Sequence, residues 1–279
     1  MPVADAVELM QREDVSIHRA LYAARPAIVR AIEVIVERLA RGGRLIYAGA
    51  GTSGRLGVLD SVECPPTFQS PPEMVQALIA GGPRALTGAV EGAEDDVDAP
   101  KRELAARNLS ERDIVFGIAA GGTTPFVHAA LEFARERGAA SVFLACVPFE
   151  DAPDKADVSI RVVTGPEVLT GSTRLKAGTA TKLVLNTVTT IAMAQLGKVY
   201  ENLMVDVDTR TNSKLVERGA RIIATVTGLS HDDSLALLER ADGQVKLAIV
   251  MQRSNCDAAQ AAKLLARAKG SLRRVLEQA

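Results

Sequence analysis

The sequence predicts an α/β fold: a doubly wound, five-stranded parallel sheet in an α/β/α sandwich, followed by a small C-terminal helical subdomain. Short runs that are apolar at nearly every position alternate with helix-length patterns along the 279 residues. Such continuously apolar strands are typical of a parallel sheet that helices cover on both faces. The five runs are residues 44–48, 74–80, 113–119, 141–147 and 158–163.

Helical patterns occupy the segments around these runs. Over residues 15–41 apolar side chains recur every three or four positions, and we expect a break before Pro26. Residues 124–137 and 172–196 predict two further helices, and residues 212–279 contain only helical patterns. Three glycines separate these last patterns: Gly228, Gly243 and Gly270.

The chain therefore divides into three predicted parts. Residues 1–41 form N-terminal helices that pack on the sheet domain, residues 42–205 form the sheet domain itself, and residues 206–279 form the C-terminal helical subdomain. The composition, with 47% hydrophobic and 24% charged residues, is ordinary for a soluble globular protein.

Several classes of protein are disfavoured by composition. A net charge of −1 supplies no basic field for nucleic acid or an anionic membrane, and aromatic residues make up only 3%. The three cysteines and three histidines are scattered, so we expect no metal site and no cofactor. The acidic N-terminus lacks the pattern of a signal peptide, which favours a cytoplasmic location.

Three loops lie where strands end and helices begin. They are residues 49–55 (GAGTSGR), 121–125 (GGTTP) and 170–176 (TGSTRLK). Ligands of open parallel sheets bind at such loops, and glycines with hydroxyl side chains at a helix N-terminus suit a phosphate. The alternative is ordinary helix capping by Ser53, Thr124 and Ser172.

The first loop also partly matches a dinucleotide-binding fingerprint. Gly49, Gly51 and Gly54 fit the G-x-G-x-x-G spacing, but no clear acid follows about 20 residues later, as that motif requires. The hydroxyls of Thr52 and Ser53 suit a monophosphate better, and no P-loop sequence is present.

Two acidic segments are candidates for catalysis. Glu63 precedes a Cys-Pro-Pro sequence in what we predict to be a loop, where the prolines would fix its carboxylate, although a simple rigid turn explains them equally. Residues 91–98 contain five acids, Glu94 among them, and no base, a pattern that a solvated loop would also produce.

These segments resemble the N-acetylmuramic acid 6-phosphate etherase family. The motifs are GAGTSGRLG at residues 49–57, ECPPT at 63–67, VEGAED at 90–95, GSTRLKAGTA at 171–180 and NLMVD at 202–206. They occur in order over nearly the whole chain. The resemblance implies the sugar isomerase (SIS) fold, a small helical region after it, and a homodimer with a site completed across the interface.

The resemblance also implies a reaction, cleavage of the D-lactyl ether at C3 to give N-acetylglucosamine 6-phosphate and D-lactate. Glu63 would protonate the departing oxygen and Glu94 would remove the C2 proton. The sugar-phosphate substrate would be bound by residues of the three loops: Thr52, Ser53, Gly54, Arg55, Thr123, Thr124, Ser172, Thr173 and Lys176. Two carboxyl groups in different protonation states suffice for such an elimination, so neither a metal nor a cofactor is required.

Two departures from the family pattern stand out. The family usually has about twenty more residues before the segment that matches residues 6–14, and Gly121 stands where the second loop usually has serine. Other functions on this fold are a non-catalytic sugar-phosphate sensor, like the glucokinase regulatory proteins, and an aldose–ketose isomerase. The presence of both glutamates favours the etherase.

Overall fold

A computed structural model describes residues 1–210 and 213–277, and its central element is a parallel sheet. The strands are β1 (Leu45–Gly49), β2 (Val75–Ile79), β3 (Ile114–Ile118), β4 (Ala140–Ala145) and β5 (Val158–Arg161). They are ordered β2-β1-β3-β4-β5, and every pairing is parallel. The predicted five-stranded parallel sheet is confirmed.

The order of the strands creates a switch point between β1 and β3. From β1 the chain crosses to β2 on one side and then returns to place β3 on the other side. Gly49 and Ile118, the last residues of β1 and β3, are register partners. The loops that follow these strands therefore begin side by side at the carboxyl edge of the sheet, where ligands of open α/β sheets bind.

Ten α-helices complete the described part of the chain. Those associated with the sheet are α1 (Val3–Ala40), α2 (Gly51–Phe68), α3 (Asp98–Ala106), α4 (Pro125–Glu136) and α5 (Lys176–Gln195). The others are α6 (Ser213–Thr227), α7 (His231–Arg240), α8 (Val245–Arg253), α9 (Ala258–Arg267) and α10 (Leu272–Leu276). Two 3-10 turns, Gly82–Leu86 and Ala93–Asp95, lie between β2 and α3.

Helices cover both faces of the sheet. On one face α3 and α4 pack against Ile46, Val115 and Phe143 in a single buried cluster. On the other face Tyr47 donates a hydrogen bond to Asp60 of α2 (2.9 Å), and Thr189 of α5 donates to the same carboxylate (3.3 Å). Because side chains alternate along a strand, neighbouring residues of β1 supply both layers.

The expected break before Pro26 is wrong, because α1 runs through it. Proline removes the hydrogen bond to the carbonyl of Tyr22, at a cost of about 3 kcal/mol. Tyr22 is 71% exposed, so that part of the helix faces solvent. Buried residues on both sides of the proline, Ala24 and Ile28, hold the helix in place.

The predicted loop around Glu63 is also wrong, because α2 continues to Phe68 through two prolines. Asp60, Cys64 and Phe68 are buried and four residues apart, so they form one face of a helix. Pro66 is exposed. The free energy gained by burying this face therefore exceeds the cost of the two backbone donors that are missing at Pro65 and Pro66.

The chain divides into two compact units. The first consists of Met1–Val62 and Glu73–Thr189, and the second of Glu63–Pro72 and Thr190–Ala279. The three-part division at residues 41 and 205 stays a prediction, and its residues 211–212 and 278–279 lie outside those described. Helices α6–α10 enclose a separate apolar core in the second unit.

A buried ion pair organises the second unit. The ammonium of Lys246 lies 2.7 Å from Asp206 and donates to the carbonyls of Gly197 and Gly270. Burial lowers the pKa of Lys246, and Asp206 counteracts part of that shift. Asp206, the last residue of the NLMVD motif, therefore joins three segments of the chain.

Membrane-spanning and metal-binding proteins have structural features that can be compared with the described residues. No helix within residues 1–210 or 213–277 is both long and apolar enough to span a bilayer. In the same part of the chain no three His, Cys, Asp or Glu side chains are grouped as metal ligands.

Candidate functional site

The first loop begins α2 directly at the carboxyl end of β1. Gly54 must be glycine here, since a Cβ would lie 2.7 Å from both the Gly49 carbonyl and an Ile79 side-chain carbon. This close approach presses the loop onto the ends of β1 and β2. Within the described chain the N–H groups of Thr52 and Ser53 donate to no carbonyl or side chain, as is usual in a first helical turn.

The second loop begins α4 at the end of β3. Gly122 has φ +82° and its Cβ would lie 2.5 Å from the Cβ of Ala152, so no other residue fits there. His128 contacts the Gly122 carbonyl through Nε2 (2.7 Å) and thereby fixes the turn. A Cβ at Gly121, in contrast, would meet nothing within 4 Å, so the serine usual in the family would fit.

The third loop begins α5 and approaches the first loop. A Cβ at Gly178, in the first turn of α5, would lie 3.6 Å from Cγ2 of Thr52. The predicted helix start at residue 172 is wrong, because turns precede α5 and the helix starts at Lys176. The physical reason is the carboxylate of Glu167, which accepts the N–H groups of Lys176 and Ala177 (2.9 Å each).

The six loop hydroxyls that the sequence predicts to bind substrate have no protein partners in the described structure. No hydrogen bond from any of them to another protein group is present within residues 1–210 and 213–277, and Thr124 in particular does not cap α4. Helix capping therefore does not explain these side chains. They are Thr52, Ser53, Thr123, Thr124, Ser172 and Thr173.

The basic side chains of the loops have different surroundings. Lys176 is only 3% exposed, and its ammonium contacts the carboxylate of Glu13 in α1 at 2.6 Å. The Arg55 guanidinium donates to the carbonyls of Ala85 (3.0 Å) and Gly88 (2.8 Å). Arg174 is exposed, and its side chain contacts no acid within the described residues.

The two candidate catalytic acids are both exposed. Glu63 lies on α2, eight residues beyond Arg55, and belongs to the second compact unit. Glu94 lies in the 3-10 turn Ala93–Asp95 of the first unit. In the part of the chain that the structure describes, neither carboxylate forms an ion pair or hydrogen bond. Their convergence in one site stays a prediction.

A third acid next to these loops was missed by sequence reasoning. Glu167 lies nine residues before the helix end that it caps, outside the short spacing of a capping box. The only local signal is an acid shortly before a Gly-Ser-Thr loop. Glu13 was missed as well, because its partner Lys176 lies 163 positions further along the chain.

Cys146 lies beneath the start of α5. Its thiol is 3.7 Å from the carbonyl of Ala177, and burial raises its pKa to about 12. The nearby carboxylate of Glu167 raises the pKa further, whereas a hydrogen bond with Thr181 lowers it. The thiol is therefore protonated at neutral pH and is a poor nucleophile.

The sheet domain is similar to known SIS domains. Residues 27–135 match the glucokinase regulatory protein N-terminal SIS domain, and residues 96–191 match the SIS domain. Two solved structures share the fold. The phosphoheptose isomerase from Francisella tularensis has a TM-score of 0.52 at 20% identity, over 70% of this chain and 100% of that one. Phosphoheptose isomerase GmhA from Neisseria gonorrhoeae has a TM-score of 0.51 at 16% identity, over 69% and 100%. The fold and the loops at its switch point thus define an SIS-domain protein.

More similar relatives cover nearly the whole chain. A protein of Gloeobacter violaceus named N-acetylmuramic acid 6-phosphate etherase is 56% identical over 98% of this chain and 89% of its own length. Proteins of the same name from Picosynechococcus sp. and Gloeothece citriformis are 50% and 52% identical over 99% of this chain and 92% and 90% of theirs. The chain belongs to the N-acetylmuramic acid 6-phosphate etherase family.

Proposed function

We propose that this chain is an N-acetylmuramic acid 6-phosphate etherase, a carbon–oxygen lyase that releases D-lactate and N-acetylglucosamine 6-phosphate in the catabolism of cell-wall amino sugars. The observation that carries the proposal is 56% identity to a relative of that name over 98% of the chain. The unpartnered hydroxyls at the switch point support a phosphorylated sugar as the ligand.

The phosphate site of this proposal is formed by the starts of α2 and α4. The first loop supplies free N–H groups and hydroxyls at Thr52 and Ser53, and the second supplies hydroxyls at Thr123 and Thr124. The two loops leave the sheet side by side. A helix N-terminus carries partial positive charge and unpaired donors, so it attracts a phosphate without any basic side chain. This explains how a protein with a net charge of −1 binds a polyanionic sugar.

The third loop has a different part in the proposal. The α5 terminus already holds the Glu167 carboxylate, so Ser172 and Thr173 serve the neutral hydroxyls of the sugar rather than its phosphate. A direct contact between Lys176 and a substrate anion requires that its pair with Glu13 opens. Arg174 is exposed and remains available for the lactyl carboxylate.

The reaction in this proposal is an elimination followed by addition of water. In the open-chain sugar the C1 aldehyde makes the C2 proton acidic, and Glu94 removes it. The C3–O bond then breaks, Glu63 protonates the departing oxygen, and an alkene forms between C2 and C3. Water then adds at C3 and gives a proton to Glu63, while Glu94 returns its proton to C2. One carboxylate and one carboxylic acid therefore complete the cycle.

The test is incubation with N-acetylmuramic acid 6-phosphate and assay of D-lactate. In water enriched in oxygen-18, label should enter the C3 hydroxyl of the sugar and be absent from lactate, because the ether oxygen leaves with lactate. Glu63→Gln and Glu94→Gln should each reduce the rate by about a thousandfold or more. Glu91→Gln, three residues from Glu94 and also exposed, is the matched control.

The outcomes separate the functions that the fold permits. Sugar-phosphate binding without lactate release would identify a sensor, and ketose formation would identify an isomerase. Full activity of Glu63→Gln or Glu94→Gln would overturn the assignment of that acid.

We also propose a cytoplasmic homodimer in which a neighbouring subunit completes the site. On α1 the side chains of Val15, Tyr22 and Val29 are 64%, 71% and 48% exposed. Because they are spaced by seven residues, they share one side of the helix. Burying this apolar stripe against a second copy would remove it from water.

Dimerisation is tested by sedimentation of Tyr22→Asp against the native chain. The variant should become monomeric, and an unchanged dimer would exclude this stripe as the interface. A mixture of Glu63→Gln and Glu94→Gln chains should recover about a quarter of native activity if each site takes one glutamate from each subunit. No recovery would indicate that both glutamates come from one chain.

A further inference from the structure

The segment from Gly81 to Val90 forms a loop whose two ends touch. Gly81 has φ +84°, and a Cβ built there would lie 2.8 Å from the Cβ of Val90. The backbone at the end of β2 is therefore packed directly against the Val90 side chain. Glu94 lies only four residues after Val90. The contact between Gly81 and Val90 therefore fixes the backbone shortly before Glu94.

The far side of this loop is held by Arg55. Its Nε donates to the carbonyls of Ala85 (3.0 Å) and Leu86 (3.3 Å), and one terminal nitrogen donates to the carbonyl of Gly88 (2.8 Å). These carbonyls lie at and just beyond the end of the 3-10 turn Gly82–Leu86, where a helical turn leaves acceptors unpaired. One planar guanidinium thus binds three backbone carbonyls of the same loop.

The chain after Glu94 is fixed independently. Ala93 packs on the buried cluster beneath α4, and Asp96 accepts the N–H groups of Asp98 (3.0 Å) and Ala99 (2.9 Å) at the start of α3. The Glu94 side chain itself is exposed and has no protein partner in the described structure. Its position is therefore determined by the backbone on either side and not by contacts of its own.

We infer that Arg55 is a positioning residue for Glu94: it holds the loop of residues 81–90 and so places the carboxylate, instead of binding the substrate anion. The inference rests on the proposed role of Glu94 as the base. Arg55 lies in the first turns of α2, whose start forms part of the proposed phosphate site. Its bonds therefore link the phosphate-binding turn to the loop that ends four residues before Glu94.

Direct binding of phosphate by Arg55 is the competing role. A Lys residue supplies the same charge but lacks the planar fork that reaches several acceptors at once. Arg55→Lys therefore separates the two roles. If the charge binds phosphate, Lys retains most of the function, whereas if the fork holds the loop, Lys behaves nearly as Met does.

The experiment compares Arg55→Lys and Arg55→Met with Arg174→Met, an exposed arginine of the third loop. Both Arg55 variants should lower kcat by about tenfold to a hundredfold while KM changes less than about threefold. Amide hydrogen exchange over residues 82–90 should accelerate by at least about tenfold in both. Arg174→Met should leave that exchange unchanged and raise KM, because Arg174 is proposed to bind the lactyl carboxylate.

The hydrogen-exchange readout does not depend on turnover, so it reports on the loop even if the wild-type chain releases no lactate. Lack of lactate release would contradict the proposed function, while unchanged exchange in both Arg55 variants would overturn the positioning role. A raised KM in Arg55→Met, with native kcat and native exchange, would likewise overturn it and indicate direct binding.

Discussion

The starts of α2 and α5 resemble each other in sequence but differ in what they hold. Both are glycine- and hydroxyl-rich turns that lead into a helix. At α2 the N–H groups of Thr52 and Ser53 have no acceptor in the described part of the chain, whereas at α5 the Glu167 carboxylate accepts two N–H groups. The same helix-terminal chemistry is thus open to a ligand at one place and satisfied by the protein at the other.

A sequence motif for anion binding therefore identifies hydrogen-bond donors without showing whether the protein already uses them. A carboxylate brought from outside the turn can fill the site as a phosphate would, since both are anions that accept N–H bonds.

The largest expected effect is on binding at the open turn. Thr52→Val combined with Ser53→Ala should weaken binding of N-acetylglucosamine 6-phosphate by about a hundredfold, because each hydrogen bond to a charged group contributes about 1.5 kcal/mol or more. The matched pair in the third loop, Ser172→Ala with Thr173→Val, should cost no more than about fivefold. Isothermal titration measures both, and the reverse order would contradict the comparison.

Removing the carboxylate at α5 should convert the closed turn into an open one. Glu167→Ala leaves two N–H groups unpaired, so the free energy of unfolding should fall by about 2 kcal/mol in urea titration. Inorganic phosphate should then stabilise the variant more than the native protein. Equal stability with and without Glu167 would show that the carboxylate is not an effective cap.

The buried thiol beneath α5 can report on the same cap. With a pKa of about 12, Cys146 should react negligibly with a thiol reagent at pH 8. In Glu167→Ala its reaction should accelerate by about tenfold, because α5 frays at its start and the pKa-raising charge of Glu167 is gone. Both proteins should carry Cys256→Ser, because Cys256 is more exposed than Cys146 and its reaction would mask that of the buried thiol. An unchanged rate would mean that α5 keeps its start without the cap.

The smallest effect is expected at the second loop. Gly121→Ser places a hydroxyl in open space, where it can add one bond to phosphate, so affinity for N-acetylglucosamine 6-phosphate should rise by about threefold. Gly122→Ser is the neighbouring control and should destabilise the protein by about 2 kcal/mol, since its φ is +82° and its Cβ would clash with Ala152. Unchanged affinity in Gly121→Ser would place the phosphate elsewhere.

The sequence predicts features that neighbouring residues determine, and it fails where contacts between distant segments determine the structure. All five strands follow from short apolar runs, but their spatial order, and with it the switch point, does not, because apolar runs do not show which strands pair. The helix boundaries at Pro26 and Pro65 fail, because a local rule for proline competes with burial of the residues around it. Burial depends on packing between distant segments, which periodicity alone does not measure.

In the candidate site, too, local features were predictable and long-range contacts were not. Hydroxyls and glycines of the loops are visible as local motifs, and the structure leaves those hydroxyls without protein partners. The contacts of Lys176 with Glu13 and of Arg55 with Gly88 join residues 163 and 33 positions apart. No spacing rule along the chain predicts such pairs, because they arise only when the sheet brings separate segments together.

The unbonded hydroxyls also bear on the speed of capture. A phosphate arriving at the starts of α2 and α4 displaces only solvent, since in the described chain no internal bond of those side chains has to break first. Association at these turns should therefore need no rearrangement of the backbone and be limited by diffusion and orientation. An anion can bind at the start of α5 only after the Glu167 carboxylate has left its two N–H groups. Association at this turn should therefore be slower than at α2 and α4.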